Sequence, residues 1–481
     1  MNITPYTLRG SASFVGNDYV TTHHSLIPEQ HFTVFNPVTH EITMHLHSAS
    51  ASHIETALRL ASQAVSKYPL PLTERQSLLV KTANLIEEQI ESLSLLLSNE
   101  SGKTVSDATA EIHYGISYLR YYSRASSVLA EPEQHDGFVV EQRPVGVVSA
   151  ITPWNFPNAM ILRKASAALA AGCPFIVKPS ELTPLSALAI AELMVQAGWP
   201  EGWFAVLVSG HAKEVGHILT SDPRIAKFTF TGSTAVGKQL NVQCAQHLKR
   251  VSMELGGNAP FMVMSDADIN LAVAELVKNK LRNTGQVCVA ANRIYVAEGI
   301  YQDFADKLSQ ALGQLKTGEP HDPQTQVDSL IHSKAASKIA AIVEHAQAQG
   351  AIRLTGKEYQ AGSAYHDHTV LSNVKHDDDI CQQEIFGPVY PLISVASDDI
   401  EDWLKLANDT TAGLVAYAFS QNSDSINRLS NGLRYGMLGL NTGVISNAAA
   451  PFGGIKQSGF GREGGAQGLY DYTAAHYIKR V

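Results

Sequence analysis

Three residues stand in surroundings that suit acyl chemistry. Cys288 closes the run Asn283-Thr284-Gly285-Gln286-Val287-Cys288, a small polar turn after a helical stretch, which leaves backbone N–H groups and an accessible sulfur close together. A solitary cysteine is more often inert core, so its companions must decide. Thirty-four residues earlier, Met253-Glu254-Leu255-Gly256-Gly257 places a carboxylate at the end of an apolar run beside two glycines. Burying a glutamate there is costly unless it is paired or has a function. Asn155 lies in Pro153-Trp154-Asn155-Phe156-Pro157, where two prolines hold an amide in a rigid turn, and an amide donor so placed suits an oxyanion hole.

The elements that must carry these residues follow from periodicity. Apolar runs rich in β-branched residues at Val145 to Ile151, Phe175 to Val177, Phe204 to Val208, Ile225 to Phe230 and Val251 to Met253 alternate with helical stretches such as Leu185 to Ala197. Strand then helix, repeated, predicts a parallel sheet covered on both faces. The alternation resumes after Gly257, with strands expected at Phe261 to Met264, Arg293 to Ala297, Tyr390 to Val395 and Leu414 to Phe419, which predicts a second α/β unit. Before these, a polar opening segment gives way near Ser52 to a helix with the apolar stripe Ile54, Ala57, Leu58, Ala61 and Ala64. Ser52 and Glu55 read as its capping box, and a second long helix is expected from Thr73 to Leu97. Glu131 to Gln142 and Tyr470 to Val481 fit neither unit and read as strand-forming extensions.

Composition narrows the function classes. The 481 residues are 44% hydrophobic and 17% charged, enough chain for two or three packed units. A net charge of -9 without runs of Lys or Arg argues against nucleic acid as a partner. The start Met1-Asn2-Ile3-Thr4-Pro5 lacks a basic segment followed by an apolar one, and no stretch approaches the ~20 apolar residues of a membrane span. A soluble cytoplasmic protein with no membrane contact is therefore expected. Cys173, Cys244, Cys288 and Cys381 are widely spaced and form no C-x-x-C, so neither a disulfide framework nor a metal site is expected.

Two glycine motifs invite a phosphate reading. Ser101-Gly102-Lys103-Thr104 resembles the end of a P-loop, but the glycine required five places before Gly102 is Leu97 here. Phe230-Thr231-Gly232-Ser233-Thr234-Ala235-Val236-Gly237 ends a strand and opens a helix whose free N–H groups suit a pyrophosphate, although it is not G-x-G-x-x-G and an ordinary strand-to-helix turn remains open.

Taken together, in order and spacing, these motifs resemble the signature of the aldehyde dehydrogenase superfamily, and the likeness runs from about Pro37 to the end of the chain. The resemblance implies an α/β fold with a Rossmann-type parallel-sheet cofactor domain (1–122 and 143–253), an α/β catalytic domain (254–467) and a small β oligomerisation element (123–142 and 468–481). It implies Cys288 as nucleophile, Glu254 as general base, Asn155 with the Cys288 N–H as oxyanion donors, and Lys164 as an aid to proton movement, against the alternative of a structural ion pair. NAD, with NADP as an alternative, would be held by Lys178 and Glu181 at the adenosine ribose, Gly232 and Ser233 at the pyrophosphate, and Trp154, Glu384 and Phe386 around the nicotinamide ribose. A homo-oligomer, dimer or tetramer, is expected.

Within that superfamily the likeness is greatest to the succinate-semialdehyde dehydrogenases. Arg163, Arg293 and Ser446 match the residues that grip the substrate's distal carboxylate in that group. An arginine in such a place can equally be an interdomain ion pair. Glutarate semialdehyde, a general aliphatic aldehyde, or a non-catalytic protein on the same scaffold are the other readings. Two positions depart from relatives. Ala290 replaces a second cysteine two places past the nucleophile, so no redox disulfide is expected there, and Arg462-Glu463-Gly464-Gly465-Ala466-Gln467-Gly468 differs from the commoner Ser-Lys-Tyr version at its middle.

Overall fold

A computed structural model describes residues 4–20, 31–67 and 69–479. The first three residues of the N-terminal reading above, and the last two of the C-terminal extension, lie outside the described residues.

Both expected parallel sheets are present. The first has the order Gly459–Phe460, Arg250–Glu254, Ile225–Thr231, Val147–Ile151, Phe175–Lys178, Phe204–Val206, Phe14–Val15, Asp18–Tyr19. Its five central strands are parallel, with antiparallel additions at both edges. The chain builds outward from Val147–Ile151 through Phe175–Lys178 to Phe204–Val206, then returns to the other side for Ile225–Thr231 and Arg250–Glu254. Strand order therefore reverses between Val147–Ile151 and Ile225–Thr231. In open α/β sheets ligands bind outside the carboxyl ends of the strands at such a reversal. The second sheet runs Ile352–Arg353, Thr369–Ser372, Val389–Val395, Ala291–Ala297, Ala259–Val263, Val415–Phe419, Met437–Leu440, parallel except at its first edge.

Buried strands on both sheets read as continuous apolar runs because helices cover both faces. Val148, Ala150, Phe175 and Val177 pack with Leu162, Leu188 and Leu193 from the helices Ala159–Ala171 and Leu185–Ala197. On the second sheet, Met262 and Tyr295 belong to one cluster while Phe261, Ile294 and Tyr417 belong to another.

The extensions pair with each other. Glu133–His135, Phe138–Pro144 and Thr473–Lys479 form a separate three-stranded antiparallel sheet, with Thr473 opposite Pro144 and Lys479 opposite Phe138. The expected unit boundaries fall inside elements: helix Val105–Ala125 runs past residue 122, and helix Gly465–Tyr470 spans residue 467.

Two local expectations need correction. The first helix is Ala51–Lys67, and its cap is Ser50: the Ser50 hydroxyl accepts from the His53 N–H, and the Ser50 N–H donates to His53 Nδ1, each at 3.3 Å. Histidine takes the place of the glutamate in this reciprocal cap. Glu55 points elsewhere, to Arg224 at 2.7 Å. The long helix expected from Thr73 to Leu97 is two, Leu72–Glu88 and Ile90–Ser101, broken at Gln89 (φ -104°, ψ 14°). The break lets each segment bury its own apolar face, Leu78, Leu79, Ala83 and Ile86 in one, Leu93, Leu96 and Leu97 in the other. The P-loop lookalike is a helix end. Gly102 (φ 76°) caps Ile90–Ser101 in the left-handed conformation, and Lys103 is buried against Glu111. Among the described residues, no helix is long and apolar enough to cross a membrane.

Candidate active site

Three neighbouring parallel strands end at one edge, and each delivers a turn into the same crevice. Ile151 aligns with Phe230, and Thr231 with Glu254, so Trp154-Asn155, Gly232-Ser233 and Glu254 emerge side by side. They line a cavity of about 300 Å³ with Cys288, Glu384, Phe386, Arg163 and Ser446.

Cys288 follows a tightly built turn. Asn283 and Thr284 have φ of 46° and 50°, a left-handed conformation costing an L-residue roughly 1–2 kcal/mol. Several bonds hold it. The Asp107 carboxylate accepts from the Asn283 N–H at 3.1 Å, and the Thr284 hydroxyl donates to the Asp328 carbonyl at 2.7 Å. Gln286 is buried, its Nε2 donating to the Asn283 and Ser329 carbonyls and its Oε1 accepting from the Ile331 N–H. The same turn grips Asn155. Asn155 Nδ2 donates to the Gln286 carbonyl at 2.8 Å, and Asn283 Nδ2 donates to the Asn155 carbonyl at 3.0 Å. An amide carries two N–H groups, so one anchors the side chain while the other stays available beside Cys288. The Cys288 thiol is half-buried, and burial pushes it up to about 12; Arg163 pulls against this, while Glu384 and Glu254 add to it.

Glu254 is buried, and neither of its carboxyl oxygens has a hydrogen-bond partner among the described residues. Burial, reinforced by the nearby Glu463, pushes this carboxyl well above the usual range, while Arg163 and Lys164 pull it back. The loop facing it carries Gly453 (φ 157°), where a Cβ would fall 2.8 Å from the Gly461 carbonyl oxygen and 3.0 Å from Glu254 Oε1.

Beneath Glu254 lies a charge cluster that sequence reading did not resolve. Glu463, fully buried, pairs with both Arg163 and Lys164 from successive positions of helix Ala159–Ala171. Lys164 also donates to the Thr229 hydroxyl at 3.0 Å and does not line the cavity. Glu463 lies in the atypical run noted above, but its partners come from 299 residues away, and nothing local signals them.

On the side of the strand reversal, Ser233 caps helix Thr234–Ala245, its hydroxyl accepting from the Val236 N–H, and the Gly232 N–H donates to the Glu254 carbonyl at 3.0 Å. Trp154 and Phe386 meet edge to face at 5.7 Å. Glu384 accepts from the Gly257 N–H at 3.1 Å, and burial raises its carboxyl to about 7. A Cβ on Gly256 would lie 2.7 Å from Glu384 Oε2, so the glycine makes room for that carboxylate. Lys338 also lines this end and was not anticipated; it sits on helix Ser333–Ala348, in a stretch with no motif to mark it. Lys178 and Glu181 lie outside the cavity wall and pair at 3.0 Å. Burial acts to raise the Glu181 carboxyl, but Lys178 and a backbone N–H prevail and hold it below its ordinary value.

The three residues expected to grip a distal carboxylate are not brought together. Arg163 and Ser446 line the cavity, but Arg293 does not. Arg293 is fully buried in the second sheet. Its guanidinium donates to the carbonyls of Asn258, Leu406 and Ala407 at 2.9 to 3.3 Å, and to the hydroxyls of Tyr295 and Tyr435. It closes the carbonyl end of helix Ile400–Asn408, where a cation is favoured. A second arginine, Arg282, before the Cys288 turn, also lines the cavity, and its Nη1 donates to the Ser446 hydroxyl at 3.1 Å.

A sequence model described as the aldehyde dehydrogenase family matches residues 25–478. The chain belongs to the aldehyde dehydrogenase family. It is 41% identical to a succinate-semialdehyde dehydrogenase [NADP(+)] of Escherichia coli, over 92% of this chain and 93% of that one. It is also 41% identical to a glutarate-semialdehyde dehydrogenase of Pseudomonas aeruginosa, over 93% and 94%. The crystal structure of a succinate-semialdehyde dehydrogenase from Burkholderia pseudomallei superposes with a TM-score of 0.93 at 40% identity, covering 98% of both chains.

As an aldehyde dehydrogenase it oxidises an aldehyde to the carboxylic acid with NAD(P). The crevice fits a dinucleotide on its own terms: a helix N-terminus opens at the strand reversal, flanking aromatic rings offer an apolar slot, and glycine clears the backbone beside Glu384. All four cysteines are free, and Ala290 is buried two places past Cys288.

Proposed function

We propose that the substrate is succinate semialdehyde, that NAD is preferred, and that the roles fall to the residues as follows. Cys288, as the thiolate, adds to the aldehyde carbon, and the oxyanion is stabilised by the free N–H of Asn155 and the backbone N–H of Cys288. A dinucleotide held by Gly232, Ser233, Trp154, Glu384 and Phe386 would supply the hydride acceptor beside this carbon. Glu254 then takes a proton from the water that attacks the resulting thioester, and the acid departs. Lys164 and Glu463 lie behind Glu254, where they can carry the proton onward. Gly232, Ser233, Trp154, Glu384 and Phe386 hold the pyrophosphate and nicotinamide end, with Lys338 beside them, and Lys178 and Glu181 hold the adenosine ribose.

The observation that carries the substrate reading is Arg282. It faces the cavity, bonds Ser446, and pairs with no carboxylate among the described residues. Arg163 already has Glu463 as counter-ion. A half-buried guanidinium without an anion suits an aldehyde that brings one. Initial rates of NAD reduction across aldehydes with and without a terminal carboxylate test this. Succinate semialdehyde should lead. A lead for glutarate semialdehyde, one carbon longer, would move the reading to the activity named for the Pseudomonas aeruginosa relative, and a lead for an uncharged aldehyde would overturn it. Assembly into a homo-oligomer through the three-stranded sheet and the three-unit division of the chain are part of the same proposal.

A further inference from the structure

Arg282 is held more by rings than by polar partners. Its guanidinium carbon lies 4.5 Å from the Phe156 ring centroid and 5.6 Å from that of Tyr114, while Ser446 supplies its one polar contact among the described residues. Phe156 has a second cation, since Lys103 Nζ stands 3.8 Å from the same ring centroid. Tyr114 has no such competitor among the described residues. Its ring is also fixed independently of any ligand: the Tyr114 and Tyr118 hydroxyls are 2.6 Å apart and their rings meet edge to face at 5.1 Å. Tyr118 is fully buried. The helix that carries both, Val105–Ala125, is pressed onto helix Ala159–Ala171 at Gly115, where a Cβ would fall 2.6 Å from Asn158 Oδ1 and 2.8 Å from Leu162 Cδ1. The residue next to this close approach is Tyr114, delivered to the cavity wall on a rigid support.

An arginine side chain has several rotatable bonds and loses entropy when it is held in one geometry. A cation over an aromatic face recovers part of that loss, and prior ordering of the guanidinium improves binding of the anion that follows. We propose that Tyr114 is a specificity-determining residue, which holds the Arg282 guanidinium in place for the distal anion of the aldehyde. The inference rests on the reading of Arg282 as the residue that meets that anion. The Tyr114 ring does the positioning, and its hydroxyl serves to fix the ring against Tyr118.

Three variants, Tyr114→Leu, Tyr114→Phe and Arg282→Ala, are assayed with succinate semialdehyde and with butanal. From the strength of a partly desolvated cation–π contact, Tyr114→Leu should raise KM for succinate semialdehyde roughly 3- to 30-fold. Its kcat, and both constants for butanal, should stay within about twofold, because an uncharged aldehyde makes no use of the guanidinium. Tyr114→Phe, which keeps the ring and its edge-to-face contact with Tyr118 but loses the hydroxyl, should raise KM for succinate semialdehyde less than Tyr114→Leu and leave butanal unchanged. Equal losses on the two aldehydes, or no loss on either, would overturn the role of Tyr114. If Arg282→Ala weakens only succinate semialdehyde while Tyr114→Leu does nothing, this inference alone fails. If Arg282→Ala is also without selective effect, the anion reading fails with it. Melting temperature and the rate of Cys288 alkylation, measured on each variant, exclude misfolding as the cause of a loss.

Discussion

Asn155 Nδ2 lies 2.8 Å from the carbonyl oxygen of Gln286, two residues before Cys288, so the Asn155 amide and the Cys288 turn are tied into one unit across 131 residues of sequence. Removing the amide takes away a donor whose worth is realised only as charge develops on the substrate oxygen. Asn155→Ala should therefore lower kcat by about 100- to 1000-fold with little change in dinucleotide affinity. Stopped-flow rates of NADH formation check this, and a kcat within tenfold of wild type would remove Asn155 from the role.

The proposed roles put Cys288 and Glu254 in different half-reactions, so their variants should separate. Cys288→Ala should abolish oxidation while leaving NAD binding intact, because the covalent step is lost. Glu254→Gln should allow up to about one NADH per site before thioester hydrolysis stalls. A burst followed by little turnover, seen in a single-turnover trace, is the expected record. Steady turnover near the wild-type rate in either variant would contradict its assignment.

At the substrate end, Arg163 and Ser446 line the cavity and Arg293 does not. Counting forward from Cys288 reaches Arg293, but that residue sits on a strand flanked by two others, and its side chain is consumed by helix-end carbonyls. Arg282, at the helix end before the turn, reaches the cavity. Arg282→Ala should cost roughly 2–4 kcal/mol in kcat/KM for succinate semialdehyde, the range for losing one partner of a desolvated charge pair, with much less effect on butanal. Arg293→Ala should instead lower the melting temperature and stability by about 3 kcal/mol or more, since several buried acceptors lose their donor at once. A stable Arg293→Ala enzyme with a loss confined to the carboxylated aldehyde would restore the original reading.

Much of the framework was legible because it is periodic or local. The apolar runs place the strands to within about two residues, and the turns at Asn155, Gly232 and Glu254 follow from where those runs stop. What escaped depends on contacts distant in sequence. Glu463 takes its meaning from Arg163 and Lys164, Lys338 comes to the cavity on a helix from the second unit, and Tyr114 matters through Arg282. The cap at Ser50 escaped for a different reason: a histidine nitrogen accepts the bond usually made by a carboxylate, so the residue pattern was present in unfamiliar letters.

Cys288 gives a pH prediction with a definite sign. Burial raises its thiol to about 12, so the neutral form dominates through the physiological range and ionisation grows as pH rises. Alkylation by iodoacetamide requires the thiolate. For the ligand-free enzyme its rate should climb by about tenfold per pH unit between pH 7 and 10, with no plateau in that interval. A rate already level below pH 8 would mean that the thiol is activated without ligand.

The proposed NAD preference rests on Glu181. Its carboxylate is about half exposed, held by Lys178 at 3.0 Å, and kept below its ordinary pKa by that cation, so it is ionised at neutral pH. Next to an adenosine ribose, an ionised carboxylate accepts hydrogen bonds from the 2′ and 3′ hydroxyls. NADP puts a phosphate of up to two negative charges in place of the first, and the two anions repel across a few ångströms. Lys178 offsets part of that repulsion, but as long as it is paired with Glu181 its charge is largely spent. NAD should be preferred, although the relative from Escherichia coli is named for NADP. Glu181→Ser removes the repelling charge and releases Lys178 to meet the phosphate, so the ratio of kcat/KM for NADP over NAD should rise. Fluorescence titration of each dinucleotide against wild type and variant, alongside the kinetic ratio, separates binding from turnover. Wild-type preference for NADP, or a ratio unmoved by Glu181→Ser, would remove Glu181 from the adenosine site.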